Sequence, residues 1–248
     1  MSTIAIGRFS ARPIADRNAF LAFTAMVWIA VLSGFGTDSL HHVLKYGLDY
    51  PLIVHFHAVA FVGFLLLFTV QVALIRNDRA DIHRRLGVAG AALGCVMLVL
   101  GPATAVVVDA GRYAAKGTTP EFLAVQFTDI LAFGTLAGTG LLLRGVPSAH
   151  KRLMMLALIY ISDAGFARLL NRIASAPLGD GFWGDMVGLY LGSDLLVLGL
   201  GAYDLVTRRS LHPAYILGAI WMIALQLTAR AGLYSPAWKA FSLHLIGH

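Results

Sequence analysis

The sequence predicts an all-α protein, a seven-transmembrane helix bundle, and three observations predict it. Apolar residues make up 58% of the 248-residue chain and charged residues only 13%, against roughly 45–50% and about 25% in soluble proteins. The apolar residues gather in stretches of the length, about 20 residues, that a helix needs to cross the hydrocarbon of a bilayer. The connections between them are short and carry turn formers and charge, as in Arg76-Asn77-Asp78-Arg79 and Thr207-Arg208-Arg209-Ser210, so no linker divides the chain into domains. This composition argues against a soluble enzyme, a disordered tail and a nucleic-acid partner, despite a sequence pI of about 9.7. The single cysteine, Cys95, excludes a disulfide framework and any Cys-based metal site.

The stretches expected to span are residues 19–36, 52–75, 86–108, 121–143, 151–170, 183–206 and 213–233. The first follows Arg8, Arg12 and Arg17 in the manner of a signal peptide. Its apolar core is too long for one and no Ala-x-Ala site follows, so it reads as a retained helix. Gly90/Gly94, Gly134/Gly138 and Gly188/Gly192 are small-xxx-small pairs that let helices approach closely in lipid. Gly101-Pro102 should kink the third span. After the seventh, residues 236–248 place Trp238, Phe241 and Leu245 on one face of a short helix suited to a membrane interface.

Lys and Arg set the expected orientation. The face holding the N-terminus collects Arg8, Arg12, Arg17, Arg76, Arg79, Arg84, Arg85, Arg144, Lys151, Arg152, Arg208 and Arg209. The other has Lys45, Arg112, Lys116, Arg168, Arg172, Arg230 and Lys239. The N-terminus is therefore expected in the cytoplasm and the C-terminus outside, in a bacterial inner membrane, with the basic residues forming a solvated cytoplasmic rim.

Three helix starts on the basic face read alike: Ile82-His83-Arg84-Arg85-Leu86-Gly87, Ala149-His150-Lys151-Arg152-Leu153-Met154 and Leu211-His212-Pro213. Spans two–three, four–five and six–seven thus read as three helical-hairpin quasi-repeats behind an N-terminal helix. Arg168 follows His150, and Arg230 follows His212, by 18 residues. That is about five full turns, so each Arg should share a helix face with its His. The plainer reading of these His and Arg side chains is as interfacial anchors.

The ionisable groups inside the spans carry the functional signal, because each is expensive in hydrocarbon and should face the bundle interior and pair. They are His55 and His57 in the second span, Asp129 in the fourth, Asp163 and Arg168 in the fifth, Asp185 and Asp194 in the sixth, and Arg230, with Gln226 a turn before it, in the seventh. His57 shares a face with Phe61, Phe64, Phe68 and Gln71, which suits an inward wall, whereas His55 diverges by about 200°. Three chemistries fit. Two histidines on different helices can hold a haem. His55 or His57 with Asp129, Asp163 and Asp194 can hold a transition metal ion. Without any cofactor, Asp–Arg and Asp–His pairs form a proton relay or buried salt bridges.

At His55-x-His57, Leu66-Leu67-Phe68, Gln71, the two His-basic helix starts and Tyr203-Asp204…His212-Pro213, the chain resembles a broad family of bacterial polytopic membrane proteins. It is more weakly similar to membrane proteins of cytochrome oxidase maturation and to b-type cytochrome bundles. The latter resemblance implies haem b, with His83 and His150 ligating on the cytoplasmic side and His57 on the outer side, where no second histidine is available to pair with it. Arg168 and Arg230 would then neutralise propionates or carboxylates, and Asp129, Asp163 and Asp194 would ligate or accept hydrogen bonds from ligands. The expectation is a haem- or metal-binding protein serving electron transfer or respiratory-complex assembly. The alternatives are a cofactor-free accessory subunit of a larger membrane complex, and an enzyme or transporter acting on a lipid or quinone.

Overall fold

The computed structural model describes residues 9, 13–174, 176–179 and 181–248. Arg8 and Arg12, counted toward the basic face, lie outside the described residues. The described chain folds into helices α1 (Pro13–Tyr46), α2 (Leu52–Arg76), α3 (Ala80–Lys116), α4 (Leu123–Leu142, entered through the 3-10 turn Pro120–Phe122), α5 (Pro147–Ile161), α6 (Asp163–Ala174), α7 (Phe182–Arg208), α8 (Pro213–Leu233) and α9 (Pro236–Leu245), with a second 3-10 turn at Ala176–Leu178. Six helices are long and apolar enough to cross a membrane, and the bent pair α5–α6 makes a seventh if it counts as one span. Large apolar side chains such as Ile29, Leu32, Val59, Leu66, Val99, Leu198 and Leu217 point outward. Water opposes such a surface and lipid accepts it. The chain is a multi-pass membrane protein.

The core forms around α4 and α5, where Phe133, Leu136, Met155, Leu156, Ile159 and Tyr160 are almost completely buried. α4 packs on α3, α5 and α8; α6 packs on α7 and α1; α2 packs on α3 and α1. α8 leans on α4 and α5 more than on α7, its neighbour in sequence. The end of the bundle where α1 begins is called the near end below, and the opposite end the far end.

Several boundaries differ from the expected spans for local reasons. α1 continues beyond Gly36 to Tyr46, with the Ser33 and Thr37 hydroxyls bonded back to the carbonyls of Ile29 and Ser33. It ends where Gly47 takes φ +71°. α3 runs unbroken through Gly101 and Pro102, the expected kink, and stops at Gly117 in the left-handed region. α9 docks through Trp238, whose indole N–H donates to the Glu121 carbonyl at 3.0 Å.

The break falls in the expected fifth span instead, at Ser162, where α5 and α6 diverge by 46°. Ser162 donates both its backbone N–H (3.2 Å) and its hydroxyl (2.6 Å) to the Ile159 carbonyl. This local bonding competes with the regular helical pattern. The shared-face argument for His150 and Arg168 therefore fails, since the helix is interrupted between them. His212 and Arg230 flank a continuous α8, but His212 stands outside it as its N-cap in extended backbone. The bend carries α6 across α1, where the two backbones meet at Gly34 and Gly165. A Cβ on Gly165 would lie 3.1 Å from the Ala30 carbonyl oxygen, and one on Gly34 would collide with the Gly165 carbonyl. Gly134 and Gly192 also face close neighbours, the side chains of Leu98 and Phe166, but at Gly138 nothing lies within 4 Å.

Gly34→Ala should overpack this crossing and destabilise the fold by about 1–3 kcal/mol. A lowered melting temperature of the detergent-solubilised protein reads that cost. Gly36→Ala, with nothing within 4 Å of its Cβ, should keep or slightly raise the melting temperature, since Ala is the better helix former.

Candidate functional site

At the near end the first turns of α3 and α5 bring His83 and His150 together, ring centres 6.2 Å apart and planes at 85°. His150 donates from Nδ1 to the Gly140 carbonyl at 2.7 Å. His83 faces the Gln71 carbonyl in the same way at 3.4 Å. A carbonyl only accepts, so Nδ1 carries the proton and the Nε2 lone pair is left for another partner, the usual arrangement of a ligating histidine. A metal ion bonded at about 2.0–2.1 Å to two facing imidazole nitrogens would hold the ring centres roughly 6 Å apart. The separation of the pair is of that order. Among the described residues no group of three or more His, Cys, Asp or Glu side chains could hold a metal ion. Two histidines on different helices could hold a haem.

Beside this pair lies a charge network that corrects the solvated-rim reading of Lys151, Arg152 and Arg208. Arg152 and Asp204 are both 0% exposed and Arg208 is 6% exposed. Arg152 clamps Asp204 through Nε at 2.6 Å and a second bond from Nη2, while its Nη1 donates to the Ser148 carbonyl at 2.7 Å. Asp16 accepts from Arg208 at 2.6 and 2.7 Å, from Lys151 at 2.5 Å and from the Tyr203 hydroxyl at 2.6 Å. These bonds tie α1, α5 and α7 together. Sequence reasoning missed the network, although Asp204 and Arg208 stand one turn apart on α7 and so announce a shared face. His212 caps α8, its Nδ1 accepting from the Ala214 N–H at 3.1 Å and its Nε2 lying 3.2 Å from the Ser148 hydroxyl.

The second buried centre lies around the α5–α6 break. Asp163 opens α6 and Asp194 sits near the middle of α7, with Gln226 of α8 donating to Asp194 at 2.8 Å. Asp129 projects from α4, its Oδ1 shielded from the exterior and without a hydrogen-bond partner. Both carboxyl oxygens of Asp163 likewise lack a close hydrogen-bond partner, and the hydroxyls of Tyr160 and Tyr190 have none outside their own pair.

The other sequence candidates lie apart from these centres. His57 stacks on Phe61, ring centres 4.0 Å apart, with Nδ1 buried and unpartnered. His55 turns its edge to Tyr50 near the start of α2. Arg168 and Arg230 do not reach the histidine pair or the inner carboxyl groups. Arg168 pairs with Asp38 at 3.1 Å and Arg230 with Asp185 at 3.3 Å, both at the far end. Arg168 also covers the ring of Phe35, and Arg230 the rings of Phe182 and Tyr234.

Fold and sites together define a multi-pass helical membrane bundle with buried ionisable centres at its near end and at its broken helix. No protein-family model, curated protein or solved structure matches the chain.

Two outcomes follow from the near-end network. Asp204→Asn leaves Arg152 buried without its counter-ion and should cost about 3–5 kcal/mol, while the paired replacement Arg152→Met with Asp204→Leu recovers most of that loss. Thermal unfolding of the three proteins in one detergent compares them. The second outcome concerns pH. Burial and then the Arg152 charge hold His212 down to about 4, against about 6.5 in an unfolded chain. As pH falls the unfolded chain takes up this proton first. The stability contributed by neutral His212 is thus intact above about 6.5 and lost progressively toward 4. His212→Asn, which keeps a capping side chain, should flatten the melting temperature over that pH window.

Proposed function

We propose that this protein is a haem b carrier of a bacterial inner membrane, in which His83 and His150 would hold the haem, serving electron transfer or the assembly of a respiratory complex. The observation that carries the reading is the histidine pair itself. Two helices that are not neighbours in sequence bring their imidazoles to 6.2 Å, and each turns Nδ1 toward the carbonyl of a preceding helix. Anchoring alone would place each ring independently. Arg84 and Arg85, exposed on the turn after His83, are positioned at the same end to meet propionates, the task first expected of Arg168 and Arg230. His57, stacked on Phe61 with no histidine opposite it, offers at most one ligand, so the reading takes one haem and not a pair.

The same reading counts α5–α6 as one bent span, which makes seven, and takes α2–α3, α4–α5 and α7–α8 as copies of one hairpin. The matching roles of His83 and His150 support this for the first two copies. The basic near end supports a cytoplasmic N-terminus. When bound, the haem supplies one-electron chemistry. The chain would hold it through His83 and His150, whose imidazoles the Gln71 and Gly140 carbonyls orient, with Arg84 and Arg85 at the same end.

The purified full-length protein should show a Soret band, a reduced-minus-oxidised b-type spectrum and stoichiometric iron. His83→Ala and His150→Ala should each lose the band, and His57→Ala should keep it. A colourless, iron-free wild type overturns the proposal and leaves the cofactor-free accessory subunit as the reading to pursue.

A further inference from the structure

The carboxyl groups around the α5–α6 break form a centre that the histidine pair does not use. Asp163 is 3% exposed, and its oxygens have no close hydrogen-bond partner, only the Ser193 hydroxyl lying near them. Asp129 stands close enough that the two groups act on each other electrostatically. Tyr160 and Tyr190 are both 0% exposed, their rings stacked with centres 6.2 Å apart and their hydroxyls without a partner outside the pair. Both hydroxyls feel Asp129, Asp163 and Asp194, which places them in the same polar centre. Asp194 has only the neutral amide of Gln226.

Among the described residues, no cation from the surrounding helices is free to neutralise these groups. On α6 itself Arg168 is held by Asp38 of α1. On α8 Arg230 is held by Asp185 of α7. Arg112 of α3 pairs with Asp109 of its own helix. On α5 Lys151 and Arg152 are bound into the near-end network, and His57 of α2 lies against Phe61. Two carboxylates sharing an apolar site do not both stay ionised. A metal ion would need several convergent ligands, and among the described residues no group of three His, Cys, Asp or Glu side chains provides them. A proton neutralises a carboxyl group without any convergence. Helices broken at membrane depth are also where ion-coupled membrane proteins hold their coupling ions, and intramembrane carboxyl groups are the usual members of proton relays.

We propose that Asp129 and Asp163, flanked by Tyr160 and Tyr190, form a proton-binding site at the broken helix, independent of any cofactor on His83 and His150. The site holds a proton at neutral pH and releases it when the centre is opened or made alkaline.

Infrared spectroscopy of the full-length protein in lipid nanodiscs tests this. The spectrum of the wild type minus that of Asp129→Asn/Asp163→Asn at neutral pH should contain the C=O stretch of a protonated carboxyl, shifted in heavy water and lost as pH is raised. Each single variant should lose part of that band, and Tyr160→Phe should shift its pH midpoint. If Asp163→Asn fails to fold, Asp129→Asn alone decides. A difference spectrum with carboxylate stretches in place of the C=O band overturns the proposal. So does a rise in wild-type melting temperature when sodium replaces choline at constant pH, if Asp129→Asn abolishes it, because the site then holds a metal cation.

Discussion

A charge inside hydrocarbon must find a partner, and this constraint organises the bundle more than any single apolar contact does. At the near end it is met by Asp16 with Arg208 and Lys151, and by Arg152 with Asp204. These pairs join the start of α1, the first turns of α5 and the end of α7. Lipid offers no water-driven reason for helices to associate, so shape and polar bonds must select which helices meet. The network makes that selection for three helices at once. With α5 held there, Ser162 lets the chain bend, and the bend brings Gly165 of α6 onto Gly34 of α1.

The histidines show how similar sequence signals take different structural uses. His83, His150 and His212 all stand at near-end helix starts. His212 precedes Pro213, which has no N–H to offer, so the imidazole reaches the Ala214 N–H and serves as a cap. An Nδ1 that accepts a proton donor cannot also present the tautomer seen at His150, where Nδ1 must donate to a carbonyl. One proline thus separates a structural histidine from two with a free Nε2. The hairpin that carries it is also the one whose helices pack least on each other.

Hydropathy made the spans readable because lipid exposure demands apolar length, and α2 and α8 end where their charges and prolines say they should. The His83 and His150 candidates were readable for a related reason, since a repeated motif at one end of a bundle must fall at one depth. What sequence could not supply was pairing. Asp16 and Arg208 are 192 residues apart, and nothing local in either indicates the other. Arg168 and Arg230 were expected to serve a cofactor or the inner carboxyl groups, yet Asp38 and Asp185 take them at the far end. The break at Ser162 carried no Gly or Pro signal, whereas Gly101-Pro102 carried both and α3 runs through it. Hydrogen bonding within one turn decided the first, and packing along a long helix absorbed the second.

Partnering at both ends explains why the centre remains unpaired. Asp163 lies only five residues before Arg168 on α6, and Gln226 one turn before Arg230 on α8, so guanidinium groups are available nearby in the chain. Each is fixed away from the centre by a carboxylate and by aromatic faces: Phe35 for Arg168, Phe182 and Tyr234 for Arg230. A cation over an aromatic face keeps its charge in apolar surroundings with little need of water, so these arginines gain nothing by swinging inward. Ion pairs therefore gather at the ends of the bundle, while the broken helix keeps carboxyl groups that no described side chain neutralises. A fold built only for stability would have filled that place with apolar residues or turned one arginine inward. Leaving it acidic is what a proton-binding centre requires.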